Sequence, residues 1–223
     1  MLLRDLLASS PLVERSRGFG RRLTTSTREP GGLLLVGTPN AEPWHLAAHL
    51  DDESQYAGLP VLRPTLVRYA VPANAPEHLS VTLARLEQAR RGETVFVVAE
   101  DEPPEGLLQR AWDARRTGAT VLALDTGPGE LEQVAHESLT VLPLAPTAED
   151  LLDAGQVPPG TDSAESGAYA ITDSGLFVPS FDTVQHLVSV AAGEAAATGS
   201  RRGLRDRLAR VLDAISGPPV PDP

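Results

Sequence analysis

The stretch TVFVVAEDEPPEGLLQRAWDARRTGATVLAL, residues 94–124, contains two short apolar runs with a helical pattern between them. Short apolar runs that end in turn signals are typical of strands buried on both faces of a parallel sheet. The segment between them predicts a helix over residues 104–116, which ends before Gly118. Its buried face is predicted to carry Leu107, Leu108, Ala111 and Trp112. A strand, a helix and a strand in this order predict one unit of a parallel α/β sheet.

The same alternation extends to both sides of this unit. Residues 33–36, Leu-Leu-Leu-Val, follow two glycines and predict a first buried strand. Residues 59–62 and 138–142 predict two more strands, residues 77–90 predict a helix, and Ser180 is predicted to cap another. Together these segments predict a doubly wound α/β fold, with a parallel five-stranded sheet of flavodoxin-like order and flanking helices.

Changes in composition along the chain predict its domain organisation. Residues 1–30 have apolar side chains at helical spacing and predict an N-terminal helical segment before the α/β domain at residues 31–198. Residues 155–167 are rich in Pro, Gly, Ser and acidic residues, which predicts a mobile loop. A C-terminal helix is predicted at residues 199–216, and the Pro-rich residues 217–223 are predicted to be a disordered tail.

The composition excludes several kinds of chemistry. The 223 residues include no cysteine and no lysine, which rules out a thiolate nucleophile, a disulfide framework, a Schiff base and the lysine of a P-loop. A net charge of −11 opposes nonspecific binding to nucleic acid or to anionic membranes. No apolar run approaches the length of about 20 residues that spans a bilayer, so we expect a cytoplasmic protein.

Arginines nevertheless cluster near both ends of the chain. Two interpretations are open, a solvated helix face paired with neighbouring acids or a patch for nucleic acid. The lack of aromatic residues in the C-terminal cluster favours the first. The clusters are Arg15, Arg17, Arg21, Arg22 and Arg28, and Arg201, Arg202, Arg205, Arg207 and Arg210.

The turn after the first predicted strand lacks the features of a nucleotide site. It reads Gly-Thr-Pro-Asn-Ala over residues 37–41, without the further glycines of a dinucleotide fingerprint. Thr38 or Asn40 is therefore predicted to cap the following helix, with anion binding as the alternative. Both residues are also candidates for contact with a ligand.

The order of these elements resembles that of the sugar isomerase (SIS) domains, in particular the sedoheptulose 7-phosphate isomerase branch. The resemblance covers residues 12–195 and is carried by residues 32–50, the strand at Thr94, residues 111–124 and the helix that contains Gln185. It implies a SIS-like sheet and a carbohydrate derivative as the ligand.

In that branch, the helix after the first strand carries a His and, four residues later, a Glu, and the matching residues here are His45 and His49. The late helix carries a Gln, matched by Gln185, and eight residues later a His, which is replaced here by Gly193. A spacing of four residues places both imidazoles on one helical face, a suitable geometry for a divalent metal such as zinc. His45, His49 and Gln185 are thus the candidate metal ligands, and the alternative is a partly buried histidine pair with no cofactor.

The second phosphate-binding turn of the family is rich in Ser, Thr and Gly, but residues 100–105 here read Glu-Asp-Glu-Pro-Pro-Glu. Carboxylates repel a phosphate dianion, and prolines have no N–H to donate. We therefore expect no sugar-phosphate binding in the manner of the family. Glu100 and Asp101 are instead predicted to favour a neutral or cationic ligand.

Two functions stay open on this evidence. The first is a non-catalytic or divergent SIS-like domain that binds a carbohydrate derivative or a protein partner and forms a homo-oligomer. The second is an active sugar-phosphate isomerase with an altered site, in which His136, His186 or an acid of residues 100–105 replaces the lost pair. Such an enzyme needs new anion donors, for example Arg63 or Arg68. A metal-dependent hydrolase-like activity at the two histidines and a regulatory role of the arginine-rich tail are further alternatives.

Overall fold

The computed structural model describes residues 11–141, 169–171 and 177–195 of the chain. Five strands form the main sheet: β1 Leu33–Val36, β2 Pro64–Val67, β3 Thr94–Ala99, β4 Thr120–Asp125 and β5 Glu137–Thr140. They are all parallel and lie in the order β2-β1-β3-β4-β5. This flavodoxin-like order confirms the predicted doubly wound fold.

Helices connect the strands. They are α1 Pro11–Ser26, α2 Trp44–Ala57, α3 Ala84–Glu87, α4 Glu105–Arg116, α5 Glu130–Val134 and α6 Phe181–Glu194, with short 3-10 segments at Pro60–Leu62 and Glu77–Leu79. A separate antiparallel pair consists of β6 Tyr169–Ile171 and β7 Phe177–Pro179. Within the described ranges, no helix is long and apolar enough to cross a membrane.

Three predicted segments fall outside the described residues. They are the loop at residues 155–167, the C-terminal helix at residues 199–216 and the tail at residues 217–223.

Both faces of the sheet are covered. Successive strand residues point to opposite faces, so that Leu33 and Phe96 pack with α1, α2 and α6 while Leu34 and Val95 pack with α3, α4 and α5. All four residues of β1 and all six of β3 are buried. A strand buried on both faces must be apolar throughout, and this is why the central strands are recognisable as apolar runs.

Helix α6 packs against both α1 and α2. The predicted N-cap is confirmed, because the Ser180 hydroxyl accepts a hydrogen bond of 3.2 Å from the Thr183 N–H. At the other end of α6, the Thr24 hydroxyl of α1 donates to the Ala192 carbonyl oxygen at 3.0 Å. The Thr24 hydrogen bond joins α1 to α6, and the two helices lie side by side over one face of the sheet.

The continuous helix predicted over residues 77–90 is wrong. A 3-10 turn at Glu77–Leu79 and the single turn of α3 replace it, separated by extended chain. The Arg68 N–H donates to the Val81 carbonyl oxygen at 2.8 Å, and Arg68 forms a parallel bridge with Thr82. The pairing of residues 81–82 with Arg68, just after β2, thus outweighs the preference of the leucine pattern for a helix, as tertiary contacts often do.

Two smaller predictions also need correction. Residues 59–62, predicted as a strand, contain the 3-10 turn Pro60–Leu62, and β2 begins only at Pro64. The helix predicted at residues 104–116 is confirmed as α4, but Trp112 is 44% exposed and does not face the core. The narrow apolar stripe of α4 is filled by Leu107, Ala111 and Ala114, which leaves no room for an indole.

Two glycines of α1 allow a matched test of its contact with α6. A Cβ atom at Gly20 would lie 2.6 Å from backbone atoms of Ala191 and Ala192, whereas a Cβ atom at Gly18 would meet nothing within 4 Å. We expect Gly20→Ala to lower the free energy of unfolding by about 1–3 kcal/mol, because backbone must move apart. Gly18→Ala should raise it by about 0.5–1 kcal/mol, because alanine favours the helix.

Urea unfolding of both variants, analysed by linear extrapolation, measures these changes. Equal stabilities of the two variants would contradict the close approach of α1 to α6.

Candidate functional site

The strand order places a switch point between β1 and β3, because the helices that follow these strands lie on opposite faces of the sheet. Ligands of open α/β sheets bind beyond the carboxyl ends of the strands at such a point. A cavity of about 320 Å³ opens there, and we call it the switch-point cleft. The polar and aromatic side chains that line it include Glu42, Trp44, His45, Glu100, Asp182 and Gln185.

The predicted site residues lie in three places. His45, Glu100 and Gln185 line the switch-point cleft. Thr38 and Asn40 are instead engaged with Asp101 in the adjoining turns. His49 lies in the interface between α2 and α6.

The carboxylate of Asp101 joins the turn after β1 to the turn after β3. Asn40 Nδ2 donates to Asp101 Oδ2 at 2.7 Å. The Thr38 hydroxyl, and after it the Asn40 amide, stabilise the ionised carboxylate and hold the pKa of Asp101 below its usual range. The Asn40 amide, which could have met an anionic ligand, thus donates to a carboxylate of the chain itself, whereas the Thr38 hydroxyl makes no hydrogen bond of ordinary geometry among the described residues.

The turn after β1 also uses its own backbone donors. The Thr38 N–H donates to the Ala41 carbonyl oxygen at 3.2 Å, and the Ala41 N–H donates back to Thr38 at 3.3 Å. The prediction that Thr38 or Asn40 caps α2 is wrong, because the N-cap is Pro43 and no side chain caps the helix. These two amides donate within the turn and are not free to bind a phosphate.

The two arginines considered as anion donors are paired with carboxylates. Arg68 Nε lies 3.0 Å from Glu42 Oε2, and its guanidinium carbon lies 4.7 Å from the centroid of the Trp44 ring. Trp44 Nε1 donates to the same glutamate at 3.0 Å. Arg63 Nε lies 2.7 Å from an oxygen of Asp51. No arginine belongs to the described residues that line the switch-point cleft.

Gln185 combines a satisfied donor with an unsatisfied acceptor. Its Nε2 donates to Asp182 Oδ1 at 3.1 Å, which orients the amide. Its Oε1 is buried and accepts no hydrogen bond from the described residues. A buried acceptor without a partner costs about 1–3 kcal/mol. This oxygen is enclosed by protein atoms, so a ligand in the cleft cannot reach it unless the side chain moves.

The histidines of α2 and α6 pack on each other. The ring centroids of His49 and His186 are 4.1 Å apart, in an edge-to-face arrangement. Burial is the main cause that lowers the pKa of each, and the neighbouring imidazoles add to the effect. Because both pKa values lie below the ordinary 6.5, the two rings are mostly neutral at pH 7.

A metal at this point stays a prediction. Within the described ranges, no group of three or more His, Cys, Asp or Glu side chains is arranged to hold a metal ion. The predicted set of His45, His49 and Gln185 includes only two such residues, and of these His49 contacts another imidazole.

Gly193 stands at the position where the late helix of the SIS family carries a histidine. The space beside it is filled by Glu53 of α2. A Cβ atom at Gly193 would lie 2.0 Å from Oε2 of Glu53. A side chain at position 193 therefore requires Glu53 to move.

His136 has a structural contact, since its Nδ1 accepts a hydrogen bond of 3.0 Å from the Val121 N–H.

Several cleft residues were missed at the level of sequence. Glu42 and Trp44 lie just beyond the turn that was considered, and Asp182 lies in the first turn of the helix predicted from Ser180. A carboxylate in the first turn of a helix is usually interpreted as a partner of the helix dipole. Asp182 is recognised as a site residue by its position at the switch point. The sequence does not show this position directly.

The fold and this cleft define the class of protein, a doubly wound α/β domain with a pocket at its switch point. No protein-family model matches the chain, and no curated protein matches it. Its resemblance to the SIS domains therefore depends on element order and on the residues quoted above.

Neutralising Asp101 tests its role between the two turns. Because the folded-state pKa is lowered, the ionised carboxylate stabilises the protein above the ordinary value of 3.8, and this contribution is lost as the pH falls through the lowered pKa. We expect Asp101→Asn to lower the free energy of unfolding by about 1 kcal/mol at pH 7. The difference from the unmodified protein should shrink toward about pH 3.

Urea unfolding across this pH range measures the effect. Glu102→Gln, at an exposed neighbouring carboxylate, is the control and should change stability by less than about 0.5 kcal/mol. A difference for Asp101→Asn that is independent of pH would show that the charge is not responsible.

Proposed function

We propose that this chain is a non-catalytic SIS-like domain whose switch-point cleft binds a carbohydrate derivative without a phosphate group. The observation that carries the proposal is the engagement of the first turn with the chain itself, because the Asn40 amide donates to Asp101 and the N–H groups of Thr38 and Ala41 donate within the turn. Sugar-phosphate binding in the manner of the SIS family requires such donors.

The side chains of the cleft support a neutral ligand with many hydroxyl groups. Glu100 and Asp182 are hydrogen-bond acceptors at the cleft, and hydroxyl groups can donate to both. Trp44 and Phe181 add aromatic surface, which can pack against the C–H groups of a sugar ring. Pockets of this kind combine an apolar wall with a few oriented polar groups.

The arrangement of possible acids and bases supports the absence of catalysis. Isomerisation needs a proton donor and a proton acceptor that both reach the reacting carbons of the substrate. His49 and His186 contact each other and do not belong to the side chains that line the cleft. His45 is the imidazole at the cleft, and an active isomerase would have to use it with an acid such as Glu100.

A matched pair of ligands tests the proposal, namely sedoheptulose and sedoheptulose 7-phosphate. We expect the free sugar to raise the melting temperature and the phosphate ester to have a smaller effect, because carboxylates surround the cleft. Free hexoses and pentoses, each with its phosphate ester, extend the comparison. Isothermal titration calorimetry then measures the affinity of each sugar that shifts the melting temperature.

Gln185→Leu should weaken binding of the free sugar by about 10-fold, because it removes an amide that lines the cleft and orients Asp182. Gln109→Leu, at an exposed glutamine of α4, is the control. Preference for the phosphate esters, followed by their turnover, would contradict the proposal and favour an active isomerase. Lack of binding by every free sugar would contradict the carbohydrate ligand. The homo-oligomer and a protein partner stay predictions from the sequence.

A further inference from the structure

Trp44, the first residue of α2, lines the switch-point cleft and is 38% exposed. Phe181 also lines the cleft but is only 8% exposed, so the indole offers the larger open surface of the two. The volume of the cleft, about 320 Å³, lies within the range of about 300–1,000 Å³ that is typical of pockets for small ligands. The largest flat apolar surface that a sugar in this cleft can meet is therefore that of Trp44.

The indole of Trp44 is held in place on the side away from the cleft. Its Nε1 donates to Glu42 Oε2 at 3.0 Å, and the guanidinium carbon of Arg68 lies 4.7 Å from the centroid of its ring. Arg68 Nε lies 3.0 Å from the same Glu42 oxygen, and both charged side chains are mostly buried. The backbone of Arg68 is fixed in turn by its pairing with Val81 and Thr82. A ring whose orientation is set before a ligand arrives lowers the entropic cost of binding.

These contacts decide what Trp44 can offer a ligand. Its single donor, the ring N–H, is already used by Glu42. Arg68 covers one face of the ring but does not belong to the described residues that line the cleft. The surface that remains toward the cleft is the opposite, apolar side of the indole. An aromatic face carries partial negative charge, which attracts the partly positive C–H groups of a sugar ring stacked on it.

Stacking of this kind distinguishes a closed sugar ring from an open chain. A pyranose ring holds several C–H groups rigidly on one side, whereas an open-chain polyol must lose its bond rotations to present the same array. The acceptors Glu100 and Asp182 do not make this distinction, because both forms of a sugar have hydroxyl groups that donate to them. Discrimination between the two forms therefore depends on the indole.

We propose that Trp44 is the specificity-determining residue of the switch-point cleft and selects sugars in the closed pyranose form, by stacking on one side of the ring. Glu42 and Arg68 are positioning residues, which act through the indole. This inference rests on the carbohydrate ligand proposed above and names the form in which the sugar binds. A closed ring has no free carbonyl group, so its selection agrees with a cleft that binds a sugar without isomerising it.

Three matched series of ligands test the selection of the closed ring, those of glucose, mannose and galactose. Each series consists of the free hexose, its 1,5-anhydroalditol, whose ring cannot open, and its open-chain alditol. In isothermal titration calorimetry on the full chain, the anhydroalditol of at least one series should bind at least about 10-fold more tightly than the alditol.

The outcomes separate this inference from the proposed function. If a hexose binds and its alditol binds equally tightly, or its anhydroalditol does not bind, the selection of the closed ring is wrong and the carbohydrate ligand stands. Lack of binding in all three series also overturns the inference. Lack of binding by every free sugar, sedoheptulose and the pentoses included, overturns the carbohydrate ligand as well.

The two tryptophans of the chain allow the binding to be assigned to one ring. Trp112 lies on α4 and does not belong to the residues that line the cleft. Trp112→Phe leaves Trp44 as the only tryptophan, and binding of the anhydroalditol should shift its fluorescence to shorter wavelengths, because stacking removes water from the ring. Trp44→Leu should lower the affinity for the anhydroalditol by at least about 10-fold, and the control Trp112→Leu should change it by less than about 2-fold.

Trp44→Phe retains a flat ring and keeps the test decisive if Trp44→Leu does not fold. It should lose about 3-fold in affinity for the anhydroalditol, because the benzene ring is smaller than the indole. Binding that leaves the fluorescence of Trp44 unchanged overturns the inference, as does unchanged affinity in Trp44→Leu or in Trp44→Phe.

Arg68→Gln tests the positioning of the indole. Without ligand and in the Trp112→Phe background, it should lower the fluorescence anisotropy of Trp44, because the cation over the ring is lost. The affinity for the anhydroalditol should fall by about 3-fold or more, and Arg68→Lys, which retains the cation, should recover part of both. Arg63→Gln, at an exposed arginine paired with Asp51, is the control. Unchanged anisotropy in Arg68→Gln overturns the positioning role.

Discussion

The central strands β1 and β3 are buried on both of their faces, and this burial positions the other elements. A strand of this kind needs apolar side chains throughout and helices on each face of the sheet. The helices α1, α2 and α6 cover one face, and α3, α4 and α5 cover the other. The connections after β1 and β3 must then leave in opposite directions, which opens a cleft between them.

The chemistry of that cleft follows from how its carboxylates are used. Glu42 lines the cleft, where Arg68 balances its charge and Trp44 donates to it. Asp101 lies in the adjoining turns and stays ionised, with the neutral Asn40 amide as a donor. The acceptors at the cleft include Glu100 and Asp182. A ligand that donates hydrogen bonds is complementary to this surface, whereas a phosphate is not.

Much of the fold was predictable because the apolar runs are short and bounded by turn signals. The strands β1, β3 and β4, helix α4 and the Ser180 cap all lie where local pattern indicated. Prediction failed at residues 77–90, where Val81 and Thr82 interrupt the leucines at helical spacing and pair with Arg68 just after β2. The competing contact is distant in sequence, so no local pattern could reveal it.

The candidate site was predictable in part. The spacing of His45 and His49 does place both on α2, but the partner of His49 is His186 of a helix more than a hundred residues away in sequence. Similarly, Glu53 fills the space beside Gly193. The sequence shows at position 193 only that the histidine of the SIS family is absent. Contacts across the interface between α2 and α6 depend on how closely the two helices approach, and sequence spacing does not specify that distance.

The amino-acid sequence by itself determined the doubly wound α/β class, because the strand and helix periodicities are local properties of the chain. It also determined that no thiolate or lysine takes part in any chemistry. Only the tertiary structure decided which polar groups are satisfied. Asp101 Oδ2 accepts a hydrogen bond from the Asn40 amide, whereas the Thr38 hydroxyl and the oxygens of Asp125 have no partner of ordinary geometry among the described residues. The physical reason is that a hydrogen bond requires donor and acceptor within about 3 Å, and folding alone brings distant residues to that separation.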